Sequence, residues 1–179
     1  IRAGVSDPMT GFELMVDFFK ADSTIFENCD DSDGNIGMVF EQDARDLFVA
    51  YASQIAEKER IADIVFELNV VDDYGVRGEL IDSAAEYLPE PNIRNMIEKC
   101  QIQADKQKDI CDKRHYFIMI ESLSRQIKDA KLFEKTCLAS WPKLSTAACI
   151  DISRVYLESG DVQTALLWVN KISEGETFN

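Results

Sequence analysis

The chain is short of the residues and motifs from which most active sites are assembled. It contains a single histidine, His115, among 179 residues. Its five cysteines include no CxxC pair, and there is no P-loop, dinucleotide fingerprint, or kinase or hydrolase motif. His115 follows Cys111 by one helical turn. A nucleophilic dyad, however, needs an activated thiolate and a prepared oxyanion site, and no motif supplies them. Cys100, Cys111 and His115 could offer three zinc ligands, with no fourth specified. The expectation is therefore no catalytic residue and no cofactor. No apolar run approaches the roughly 18 residues of a membrane span, so no membrane partner is expected either.

Basic residues are also scarce. Nineteen Lys and Arg face 33 Asp and Glu, for a formal net charge of −14. Residues 1–90 hold 21 acidic and 6 basic residues, so this half carries the whole excess. Such a surface repels phosphate backbones and excludes nucleic acid from the N-terminal half, while a basic protein or peptide would suit it. Cys29, Cys100, Cys111, Cys137 and Cys149 are odd in number and widely spaced, and no secretory signal is in view. A reducing, cytoplasmic setting is expected. The chain opens on Ile1 rather than methionine, and Asn179 follows a helical pattern, so a fragment of a longer protein is expected, of unknown oligomeric state.

With 46% hydrophobic residues the chain can bury a core. Its organising stretch is Cys29-Asp30-Asp31-Ser32-Asp33-Gly34-Asn35-Ile36-Gly37, set between helical patterns. Aspartate, serine and asparagine favour turns and helix caps, and glycine admits positive φ, so one helix ends here and another begins. Tested against a calcium loop with Gly34 as its sixth residue, the first and twelfth ligand positions fall on Cys29 and Phe40, which excludes the match. Asp72-Asp73-Tyr74-Gly75-Val76-Arg77-Gly78 repeats the pattern about 42 residues on, within the period of helical-pair repeats. If the two turns stack, Asp30, Asp31, Asp33, Asp72 and Asp73 are the candidates for a cation site.

In chain order, Ser6-Asp7-Pro8 opens a helix expected to reach about Asn28, with Phe12, Met15, Phe19 and Phe26 on its apolar side. Phe40, Ala44, Leu47, Tyr51 and Ile55 define a second, with Glu41, Asp43, Arg45 and Asp46 facing out. Ile61, Ile64, Val65 and Leu68 define a third. A fourth, capped by Asp73, carries Leu80, Ile81, Ala84 and Leu88. Pro89-Glu90-Pro91-Asn92 then marks a boundary between residues 1–90 and 91–179, with Asn92 capping a helix through Ile93, Met96, Ile97, Cys100 and Ala104. Phe117, Ile118, Met119 and Ile120 are expected in the core, and Trp141 and Trp168 between packed helices.

Tyr156, Gly160, Ala165, Val169 and Ile172 fall where the tetratricopeptide repeat family has its consensus residues, and this stretch resembles the centre of that repeat. The family's Trp-Leu-Gly opening is absent. Leu123, Ile127, Leu132, Thr136 and Ala139 form a weaker copy 33 residues earlier, ended by Pro142. The Asp-Asp-Ser-Asp-Gly turn itself resembles one from an uncharacterised bacterial family of helical-repeat proteins, over residues 7–60. Some of its members adjoin a SWIM-type zinc module, whose cysteine and histidine pattern is missing here. These resemblances imply an all-α chain of about eight helices, in antiparallel pairs stacked as a right-handed α-solenoid. The pairs would be HEAT-like before Pro89 and tetratricopeptide-like after Pro91, with structural turns at Asp33, Gly34, Gly37, Gly75, Gly160 and Ala165. The expected function is a non-enzymatic scaffold that binds a peptide or protein. The alternative is a helical accessory domain of an enzyme or metal-dependent regulator whose active module lies elsewhere, or at the acidic turns.

Overall fold

The structure, a computed structural model, describes residues 7–141 and 143–173, with side chains to Lys171. Ile1, Ser6, Pro142 and Asn179 lie outside the described residues, as does the side chain of Ile172. The described residues are all-α, without a strand, and the chain divides into two compact units, one up to Met96 and one from Ile97.

The first unit opens with α1 (Pro8–Lys20), capped by Asp7, whose Oδ2 accepts the Thr10 N–H at 2.8 Å. Proline at its first position leaves no donor unmatched. The expected single helix to Asn28 is interrupted at Ala21, whose N–H points to the carbonyls of both Asp17 and Phe18. The chain resumes as α2 (Asp22–Asn28), and the break turns Asp22 wholly into the core. After the acidic turn, α3 (Asn35–Met38), a π segment (Val39–Ala44) and α4 (Arg45–Ala52) form one run. The apolar face here is Phe40, Ala44, Phe48 and Ala52, not the expected Leu47 and Tyr51, which are half-buried. A π turn spends an extra residue per turn, which delays the buried face by one position downstream. The same delay leaves Arg45 half-buried rather than facing out, near Glu86. Helix α4 packs on α1, with Phe12 and Phe48 ring centroids 5.1 Å apart.

Helix α5 (Lys58–Val70) buries Ile61, Ala62, Val65 and Leu68 and packs on α6 (Gly78–Asp82). The expected fourth helix is only these five residues and a 3₁₀ turn, Ala84–Glu86, and Asp73 does not cap it. Its core residues Leu80, Ile81, Ala84 and Leu88 are nonetheless buried, along with Tyr87, whose hydroxyl donates to the Leu80 carbonyl at 2.5 Å.

Helix α7 (Glu90–Lys106) starts ahead of Asn92, because Pro91 fits a first turn, and the division between units falls inside it. Ile93 and Met96 are buried in its first part, Ile97, Cys100 and Ala104 in its second. The second unit continues with α8 (Ile110–Gln126), α9 (Ala130–Ser140), α10 (Thr146–Glu158) and α11 (Val162–Ser173), each packed on its chain neighbour. Phe133, Cys137, Cys149, Ile152, Val155, Tyr156, Ala165 and Trp168 share one core.

Two hairpins in this unit close alike. Asp129 N–H reaches the Ser124 carbonyl and Asp161 N–H the Tyr156 carbonyl, each at 2.9 Å. The preceding residues are left-handed: Lys128 at φ 57° and Gly160 at φ 90°. Asp129 and Asp161 then cap α9 and α11 through the N–H groups of Leu132 and Thr164. The two turns correspond at a spacing of 32 residues, so Phe133 matches Ala165 and the expected pairing of Leu132 with it is off by one. A lysine in the glycine position hid the correspondence.

Candidate binding groove

The cation-site candidates lie at the two acidic turns. Asp31 spends both carboxylate oxygens on the backbone, accepting Ile36 N–H at 2.6 Å and Gly37 N–H at 3.0 Å. Asp72 does likewise with Gly75 and Arg77, at 2.9 and 3.0 Å. Three residues after each aspartate stands a left-handed glycine, Gly34 at φ 73° and Gly75 at φ 75°, a conformation that costs other residues about 1–2 kcal/mol. At a spacing of 41 residues the turns therefore share the left-handed glycine and the bond to the N–H five residues on, and differ in the second bond, which goes six residues on from Asp31 and three from Asp72. Asp30 accepts from Ser32 N–H, and Asp33 from Asn35, while Asp73 is exposed. Gly37 lies within α3, its N–H held by Asp31. Among the described residues, no three Asp, Glu, His or Cys side chains stand where they could hold a metal ion, and Asp30, Asp31, Asp33 and Asp72 bond within their own turns.

The other candidates separate. Cys111 is exposed and His115 half-buried on α8, its ring edge-on to Tyr116 at 5.3 Å. Cys100 and Cys137 are buried, and burial pushes each thiol up to about 12, which keeps them protonated and unreactive at neutral pH. Among Phe117–Ile120 only Met119 and Ile120 are buried, and Ile118 is exposed. Four consecutive residues sweep most of the way around a helix and cannot all face one core. Trp168 is buried, but Trp141 is exposed at the extended C-cap of α9, off the packed face, with the Arg114 guanidinium 4.1 Å from its ring. Tyr156 is buried with its phenol donating to the Glu134 carboxylate; burial and then that carboxylate hold it protonated. Ala165 is buried, its carbonyl accepting the Ser153 hydroxyl at 2.9 Å. Val169, at a consensus position of the tetratricopeptide repeat, is exposed on α11 with Val162, Leu166 and Leu167.

Sequence reasoning missed three things. A cavity of about 340 Å³ opens in the second unit, walled by one stripe from each of three helices. Helix α7 supplies Gln101, Ala104 and Asp105, α8 supplies Phe117 and Ile120, and α9 supplies Leu132, Lys135, Thr136 and Ala139. The spacings of three and four are those of single helix faces. Its lining mixes polar and apolar groups: Ala104 and Ile120 are buried, Phe117 and Leu132 half-buried, the Thr136 hydroxyl donates to the Leu132 carbonyl at 2.8 Å, and its two ionisable groups, Asp105 and Lys135, are exposed. Second, Asp22 and Arg77 form a buried bidentate pair at 2.8 and 2.6 Å, with Arg77 also donating to the Leu68 carbonyl. The one available signal was that Arg77 is the only basic residue between Arg60 and Arg94. Third, Tyr74 stacks on Phe26 at the surface.

No helix among the described residues is long and apolar enough to cross a membrane. The chain belongs to a family of unknown function (DUF6880), whose model matches residues 2–138 and so ends within α9. No curated protein and no solved structure matches the chain.

Proposed function

We propose that this member of a family of unknown function is a non-enzymatic protein-interaction scaffold, built as tetratricopeptide-like and HEAT-like helix pairs in a right-handed solenoid, that receives a peptide in the groove between α7, α8 and α9. The groove carries the reading. Ala104, Phe117, Ile120 and Leu132 offer apolar contact to a side chain, and Asp105 and Lys135 offer one acidic and one basic group to orient a backbone, the usual division of labour at peptide-binding grooves. Two exposed rim charges of opposite sign are not the convergent set from which an acid and a base are made. Five free cysteines suit the reducing cytoplasm of a bacterial cell.

Ala139 is exposed at the groove, so Ala139→Arg fills it without entering the core. With the full chain as bait in a bacterial lysate at moderate salt, a discrete partner is expected on the wild type. It should be lost from A139R and from Lys135→Glu, with melting temperatures unchanged. Retention of the same partner by both variants would show that the groove is not the binding face.

A further inference from the structure

The first unit contains a column of aromatic rings that climbs from its core to its surface. Phe18 stacks on Phe40 at 4.6 Å, Phe40 on Phe26 at 5.7 Å, and Phe26 on Tyr74 at 4.9 Å, the last pair within 14° of parallel. Phe40 is wholly buried, and Tyr74 is 43% exposed. With one ring face laid on Phe26, Tyr74 turns its opposite face outward. The turn that displays it is stiff, because Asp72 holds the N–H groups of Gly75 and Arg77 on either side of Val76, and Arg77 is itself clamped by Asp22. An aromatic ring fixed in this way loses little freedom when something stacks on it.

Charge identifies what would stack. Asp73, next to Tyr74, and Glu27, next to Phe26, are both exposed. Among the described residues, the unit's own arginines are already engaged, Arg45 with Asp46 and Glu86, Arg60 with Glu13, Arg77 with Asp22, and Arg94 with Glu90. The carboxylates of the two acidic turns bond to backbone N–H groups and to Asn35, not to cations. A unit this acidic repels nucleic acid and anionic lipid and attracts cationic protein segments. An exposed π face on so acidic a unit is complementary to a guanidinium, which is flat, stacks on aromatic rings and forks onto carboxylates, more than to a compact ammonium.

We propose that the outer face of Tyr74, on an acidic surface that also exposes Asp73 and Glu27, is a docking surface for an arginine-bearing segment of a partner protein. The site lies in the other unit from the α7–α9 groove and does not depend on that reading.

The test uses the full chain and three labelled peptides in which three arginines, three lysines or three citrullines alternate with glycine, read by fluorescence anisotropy at low and moderate salt. The arginine peptide should bind at both salts, the lysine peptide more weakly, and the citrulline peptide not at all. Tyr74→Leu keeps apolar packing on Phe26 but removes the π face, and should weaken arginine binding about fivefold, the size of one exposed cation–π contact. Tyr74→Phe should bind as the wild type, Asp73→Asn should bind less tightly, and A139R should be unaffected. Melting temperatures of the Tyr74 variants confirm that the fold is kept. Equal binding of arginine and lysine that vanishes at moderate salt, or wild-type affinity in Tyr74→Leu, would overturn the proposal in favour of nonspecific polyanion behaviour.

Discussion

At the scale of single residues, the Asp22–Arg77 pair decides most about the first unit. Both side chains are almost completely removed from solvent, and each satisfies the other through two parallel hydrogen bonds while Arg77 also ties down the Leu68 carbonyl. Desolvating two ions costs several kcal/mol, which their attraction roughly offsets, so the pair adds little net stability but cannot be broken cheaply. Arg77→Met, which leaves Asp22 buried without its partner, is expected to lower stability by about 3–5 kcal/mol in urea denaturation. The double variant Asp22→Leu/Arg77→Met should recover much of that loss, and a double variant as unstable as the single one would show that packing, not charge, is what Arg77 provides. Neither residue was singled out from the sequence as a partner of the other, because 55 positions separate them and nothing local marks the pairing.

At the scale of elements, the turns were the most legible feature, since their bonds span three to six residues and their glycines and aspartates are written in sequence. The Asp31 and Asp72 turns and the Asp129 and Asp161 caps all follow this rule. Lys128 is the exception, holding the left-handed position that Gly160 holds in the later hairpin, where a side chain costs about 1–2 kcal/mol. Lys128→Gly is therefore expected to raise stability by about 0.5–1 kcal/mol and Gly160→Val to lower it by roughly 1–2 kcal/mol or more. Thermal melts of the two variants check this, and movement of both in the same direction would contradict the shared turn geometry. The π segment and the break at Ala21 were not legible, because each arises from where a side chain must be aimed, Phe48 and Asp22 respectively, and not from the propensity of the residues that form it.

For the whole molecule, charge is the dominant fact. With 33 acidic against 19 basic residues, self-repulsion opposes the folded state at low ionic strength, and salt screens it over a Debye length of about 10 Å at 0.1 M. The melting temperature is expected to rise between dilute buffer and moderate sodium chloride; a fall would mean that surface ion pairs such as Arg60–Glu13 outweigh repulsion. The all-helical class, the order of the helices and most buried positions could be read directly from periodicity, since an apolar stripe recurring every three or four residues has to be covered. The groove could not. Its nine lining residues come from three helices and look in sequence like ordinary helix positions, and only packing leaves them facing a cavity instead of a neighbour. The same holds for Tyr74, an unremarkable loop residue until Phe26 is placed beneath it. The sequence by itself thus determined helices, caps and turns, because these rest on interactions a few residues long. The tertiary structure alone decided which faces meet, which ions are buried together and which surfaces stay open, because these depend on contacts between residues that the chain keeps far apart.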